Sequence, residues 1–241
     1  MTPDAGQEPV VGAGGPKEPV PSAPVALGRL GRTLSRLAGM QGAWPPHRPA
    51  TMRRVSAAGS TVADGRALAD RLADEGVDMV VVEHPGDEAP AAVVLAALLD
   101  LEPVAAVGTA GGAGWSGLLS AVRDGLPVAR PHLGEPERLC VVLGAPALAG
   151  LAGLLAGCAE RRTPVLLSGT PAVLAAALLA VRLTPGADAW WLAGATATAP
   201  GGSVALAELG LEPLLDLGLT VPGGADLALG LLLAGTDLAR A

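Results

Sequence analysis

Glu83 and His84 are adjacent and follow the segment VDMVVV, Val77–Val82, with Asp87 and Glu88 just beyond. A carboxylate beside an imidazole can act as an acid/base pair. In this cluster Glu83 reads equally as a base or as an ordinary strand-end acid. His84 reads as a partly exposed loop histidine rather than a catalyst. Asp87 and Glu88 read as N-cap and first-turn acids of the helix that begins at Ala89, where they complement the macrodipole. A second cluster, Ser168-Gly169-Thr170, carries two hydroxyls after Val165–Leu167. A glycine-rich stretch from Gly108, through Gly112, to Gly117 resembles a phosphate cradle loosely. It lacks the lysine and the spacing of the phosphate-binding fingerprints. Trp115, beside it, could stack on a base or pack on the sheet. His47 and His132 lie beside prolines at spacings that make no ligand set, and Cys140 and Cys158 make neither a metal site nor a disulfide framework. No metal and no cofactor is expected.

The elements that must position these residues alternate in type. Thr61–Glu75 has helical period, with Gly76 as its C′ residue. Val77–Val82 is a strand, Ala89–Leu99 a helix and Val104–Val107 a short strand. Leu139–Leu143 is read as a strand and Ala147–Ala159 as a helix. Val165–Leu167 and Ala189–Leu192 are strands, each followed by a helix (Ala172–Arg182 and Ser203–Leu209). Ala225–Ala239 closes the chain as a helix. Strand then helix, repeated, predicts an α/β fold: a mostly parallel sheet with helices on both faces in a Rossmann-like layering, preceded by a short N-terminal helix. In such sheets ligands sit beyond the carboxyl ends of the strands. That rule selects the loops 83–88, 144–146, 168–171 and 194–202, and none of them contains Lys or Arg.

Residues 1–25 read as a Pro/Gly-rich disordered tail and 26–49 as an amphipathic helix with a Pro-rich linker; 50–241 form the α/β domain. Leu27, Leu30, Leu34 and Leu37 share one helix face, and Arg29, Arg32 and Arg36 another. Six arginines and no acid lie between Glu18 and Asp64. This run reads as a solvated face ahead of a docking surface for an acidic partner or a phosphate.

With 241 residues and half of them hydrophobic, the chain can bury a sizeable core without any Phe or Tyr. A net charge of −7 and a single lysine argue against nucleic acid. The uncharged run Leu139–Gly157 is nearly long enough to span a bilayer, but Gly144-Ala145-Pro146 interrupts it and no aromatic belt flanks it. No membrane span and no signal peptide is expected, and buried thiols suit a reducing cytoplasm.

Three stretches together resemble the nicotinate-nucleotide–dimethylbenzimidazole phosphoribosyltransferase family. They are LGLEPLLDLGL (Leu209–Leu219), RRTPVLLSGTPAVLAAALLA (Arg161–Ala180), and LGRL (Leu27–Leu30) with MQG (Met40–Gly42). The likeness covers most of residues 24–240, with a large family segment absent between Pro49 and Thr61. It implies an α/β core, usually in a homodimer, and transfer of a 5-phosphoribosyl group from nicotinate mononucleotide to a benzimidazole nitrogen in cobalamin lower-ligand assembly.

The family's glutamate base sits in a Gly-Glu-Gly turn after the LEPLLDLGL motif. That turn reads Pro222-Gly223-Gly224 here, so the base position falls on Gly223. The family's GEMGIGNTT loop corresponds to 83–89, where Glu83 and Gly86 survive. Its GRGTGLDD loop corresponds to 108–121, without the acids and the lysine. Its DGF is Ser168-Gly169-Thr170, and its Ser-His-Arg-Ser is Gly194-Ala195-Thr196-Ala197. By this likeness Glu83 is the surviving catalytic candidate. Gly86, Gly108, Gly112, Ser168, Gly169 and Thr170 are the candidate phosphate and substrate contacts. Three readings follow: an active transferase, a non-catalytic relative that holds a ligand or partners an intact enzyme as a homodimer or heterodimer, and a new activity centred on Glu83. The lost base and lost charges favour the second.

Overall fold

The computed structural model describes residues 27–109, 114–217 and 224–240. Five short strands form one sheet: β1 (Met52–Val55), β2 (Met79–Val82), β3 (Val165–Leu167), β4 (Trp191–Ala195) and β5 (Pro213–Leu215). Every neighbouring pair is parallel, and spatial order equals chain order. Right-handed crossovers that always step the same way put all their helices on one face of the sheet. Those helices are α2 (Val62–Asp74), α3 (Glu88–Leu98), α4 (Pro103–Val107), α5 (Trp115–Ala129), α6 (Pro136–Val142), α7 (Pro146–Glu160), α8 (Pro171–Leu183) and α9 (Pro200–Glu208). The other face is covered by the terminal helices, α1 (Gly28–Gln41) and α10 (Gly224–Leu238), which pack on each other and on β3 to β5. The expected layering, helices on both faces of a parallel sheet, is therefore present. The sheet winds in one direction and has no point where strand order reverses.

Local sequence explains the element limits. Thr61 caps α2 through a reciprocal box with Asp64, and Gly76 leaves the helix in the left-handed region at φ 74°. Proline at the first helical position starts α4, α6, α7, α8 and α9. Two of these starts correct the sequence reading. Val104–Val107 and Leu139–Leu143 are helical, not strands, because Pro103 and Pro136 launch helical turns ahead of them. In α6 Leu139 and Cys140 are buried, whereas Val141 is 52% exposed. That one-sided burial suits a helix lying on the core and not a strand buried on both faces. Two strands were not foreseen. β1 carries Arg53 and Arg54, and β5 opens with Pro213; both are edge strands, where charge and proline are tolerated.

The apolar run weighed as a membrane segment is split between α6 and α7, and every residue from Leu148 to Ala159 is buried inside the protein. Among the described residues no helix is long and apolar enough to cross a membrane. Helix α7 lies against α2 along a glycine seam. A Cβ on Gly65 would stand 2.0 Å from the Gly150 carbonyl oxygen, and one on Gly153 would stand 2.1 Å from that of Val62. The backbones touch, with no room for a methyl group.

The basic N-terminal run is not an open surface. Arg29 and Arg32 pair with Glu212, and Arg29 also with Asp216. Arg36 donates to the carbonyls of Trp191 and Asp188 at 2.8 and 2.7 Å. Arg48 pairs with Asp237 and Arg54 with Asp226. Exposed pairs of this kind contribute about 0–1 kcal/mol each. Their consequence is geometric: the first residues of the fold are stitched to its last third.

Both cysteines are buried, and burial pushes each thiol up to about 12. The thiolate is the reactive form. Neither Cys140 nor Cys158 should react with a thiol reagent in the native protein at mildly alkaline pH, and both should react in denaturant; a colorimetric thiol titration checks this.

Candidate active site

Because all five strands are parallel, their carboxyl ends share one edge. Each loop leaving that edge is held by continuation of the ladder. Glu83 N–H donates to Val55 O at 3.1 Å, Ser168 N–H to Val82 O at 3.0 Å and Thr196 N–H to Leu215 O at 2.9 Å. These bonds place Glu83, Ser168 and Thr196 in a row. Thr198 N–H closes onto Gly169 O at 3.0 Å, tying the β4 loop to the β3 loop. Gly169 has no freedom to change, since a Cβ there would lie 2.3 Å from Thr196 O. Ser168 and Thr170 are buried, and their hydroxyl oxygens lie 3.2 Å apart.

The β2 loop is organised by a knot that the sequence reading did not foresee. His84 Nδ1 lies 2.7 Å from the carbonyl oxygen of Ser56, and Nε2 lies 3.1 Å from Asp87 Oδ2. The His84 side chain is 14% exposed. His84 is a tethered ring, with both nitrogens engaged. Asp87 occupies the N-cap position of α3, but its backbone is left-handed (φ 57°, ψ 31°) and its side chain caps nothing. The capping role expected for Asp87 is replaced by the bond to His84; Glu88 does lie in the first turn. Gly86 is exposed, and a Cβ on it would approach His84 Nε2 to 3.1 Å.

Gly108 ends α4 at φ 93° and packs against Pro200, the first residue of α9. Trp115 donates its indole N–H to Gly108 O at 2.8 Å, which closes the start of this loop onto itself. Gly112 and Gly223 lie outside the described residues. The structure therefore brings Glu83, Gly86, Ser168, Gly169 and Thr170 to one edge, with Gly108 beside the α9 start. The loop at 144–146 is not among them, because its neighbours are helices.

The electrostatics of this edge come from backbone. The N-termini of α2, α3, α8, α9 and α10 all arise there, each bringing the partial positive charge of a helix start. Such ends suit an anion. The described loops add hydroxyls and carboxylates but no Lys or Arg. Arg54, at the edge of β1, is spent on Asp226 in the first turn of α10. No group of three or more His, Cys, Asp or Glu among the described residues could hold a metal ion.

Comparison with known proteins agrees with this architecture. A family model described as phosphoribosyltransferase (DBI_PRT) matches residues 51–241. The nicotinate-nucleotide–dimethylbenzimidazole phosphoribosyltransferase of Mycobacterium tuberculosis is 44% identical over 178 residues, 72% of this chain and 49% of that one. Its Mycobacterium avium counterpart is 46% identical over 172 residues, 69% and 49% of the two chains. The chain thus spans about half the length of the curated relatives it matches. Among solved structures, the nicotinate-nucleotide–dimethylbenzimidazole phosphoribosyltransferase of Thermus thermophilus superposes with a TM-score of 0.77 at 25% identity, over 90% of this chain and 91% of that one. On a matching family model, close relatives and a shared fold, the chain belongs to the nicotinate-nucleotide–dimethylbenzimidazole phosphoribosyltransferase family.

Proposed function

We propose that this chain serves cobalamin lower-ligand assembly as a ligand-holding relative of the transferase, with the catalytic base lost. The observation that carries this reading is the sequence Pro222-Gly223-Gly224, which puts glycine where the family resemblance puts the glutamate base. Glycine has no group to accept the benzimidazole proton. Nothing at the described edge replaces it well. His84 is bound at both ring nitrogens, and Asp87 is bound to His84. Glu83 is half-buried at the row of strand ends and is the remaining carboxylate candidate.

Holding a ligand is better supported than turning one over. Helix N-termini and the Ser168 and Thr170 hydroxyls give a phosphate-bearing nucleotide such as nicotinate mononucleotide a set of donors without a countercharge. A second role fits the same observations: the chain pairs with an intact family enzyme, as a non-catalytic subunit, and supplies a ligand-binding edge to it. Calorimetric titration with nicotinate mononucleotide and, separately, 5,6-dimethylbenzimidazole tests the reading. At least one should bind, and Thr170→Val should weaken the nucleotide by roughly tenfold, about 1.4 kcal/mol. Absence of binding by both, alone and with an intact enzyme, would remove the reading.

A further inference from the structure

The opposite edge of the sheet, where the strands begin, holds a cleft of about 500 Å³. Its walls include Gln41, His47 and Arg48 before β1, Asp78 before β2, and Arg161, Arg162 and Thr163 before β3. The strands between the two edges are three to five residues long, roughly 10–17 Å at the usual rise of a strand. This cleft is therefore separate from the row of Glu83, Ser168 and Thr196.

Its charges do not cancel completely. Arg161 pairs with Asp74 and Asp70, and Arg48 with Asp237. Asp78 faces the cleft, but its Oδ2 accepts the N–H groups of Ala50 and Thr51 at 2.8 and 2.9 Å. Arg240, in the last turn of the described chain, lies beside this wall, with Nη2 3.5 Å from His47 Nδ1. Among the described residues the Arg162 guanidinium has no hydrogen-bond or ion-pair partner.

Arg162 also sits in the left-handed region, at φ 57°, just past the end of α7. Its N–H bonds Ala159 O, and Thr163 N–H bonds Cys158 O, the usual closure of a helix whose C′ residue is glycine. A basic residue near a helix C-terminus complements the dipole, but Arg161 already supplies that. A strained backbone that presents an unpaired guanidinium to a cavity is better explained by a ligand.

We propose that this cleft binds the phosphate group of a small phosphorylated metabolite, held by Arg162 with Arg48, Arg240 and His47 around it. Guanidinium forks match a phosphate with two parallel bonds, and the volume admits more than the bare anion. The site is independent of the family chemistry at the other edge.

The test uses the full chain and two probes, inorganic phosphate and glycerol 3-phosphate, titrated calorimetrically at low ionic strength. Wild type should bind saturably, and added salt should weaken binding. Tighter binding of glycerol 3-phosphate would mark an ester as the occupant; equal binding would mark the free anion. Arg162→Gly is the informative variant, because glycine fits the left-handed backbone and the fold should keep or raise its melting temperature. Its affinity for the probe should fall by about tenfold or more. Failure of wild type to bind either probe, or an unchanged affinity in a folded Arg162→Gly, would overturn the proposal.

Discussion

Gly153→Val is expected to destabilise the protein by about 3 kcal/mol or more, a large share of a typical domain's 5–15 kcal/mol. The reason is where the new atoms would go. At position 153 even a single Cβ would lie 2.1 Å from the Val62 carbonyl oxygen and 2.8 Å from Val62 Cα, so the neighbour is backbone and cannot rotate away. Relief requires α2 and α7 to separate, which opens the most buried helix of the molecule. Gly230→Ala in α10 is the matched control. A Cβ there meets nothing within 4 Å, and a helix-interior glycine replaced by alanine gains up to about 1 kcal/mol. Thermal melts followed by circular dichroism should show a lost or strongly lowered transition for the first and an unchanged or raised one for the second. Equal melting temperatures would mean that the seam is looser than described.

The seam also shows what could be read from the chain and what could not. Met79–Val82 and Val165–Leu167 announce themselves as central strands because they are β-branched or apolar throughout and bounded by turns. The edge strands lack that signature; Arg53, Arg54 and Pro213 belong to edges, and an edge is known only once the sheet is assembled. Leu139–Leu143 misleads for the reverse reason: a five-residue apolar run fits a strand or one face of a helix, and Pro136 decides for the helix. At the site, the rule that ligands gather at strand carboxyl ends selected the loops 83–88, 168–171 and 194–202, which the structure brings to that edge, and also 144–146, which lies among helices. The His84–Asp87 bond was not legible, since it depends on a left-handed aspartate at a position that normally caps. Nor were the pairs of Arg29, Arg32, Arg48 and Arg54 with acids of the last third, because sequence separation hides partners that the topology brings together.

The largest functional effect concerns turnover. A general base contributes about 10²–10⁴-fold and one well-placed charge-stabilising donor about 10²–10³-fold. On the proposed reading, which puts Gly223 at the base position, and with no Lys or Arg in the described edge loops, the chain alone should run at least about 10⁴-fold slower than an intact relative. Glu83→Gln should be as silent as the wild type in the same assay, because the proposed role of the edge is to hold a ligand and not to move its proton.

The decisive measurement is a turnover assay with nicotinate mononucleotide and 5,6-dimethylbenzimidazole, run on the purified chain alone and on the chain mixed with an intact family enzyme. The account predicts no α-ribazole phosphate above background from the chain alone, and an altered rate in the mixture if it acts as a partner. Product from the chain alone, at a rate within about tenfold of the intact enzyme, would contradict it, since the base effect alone exceeds that margin.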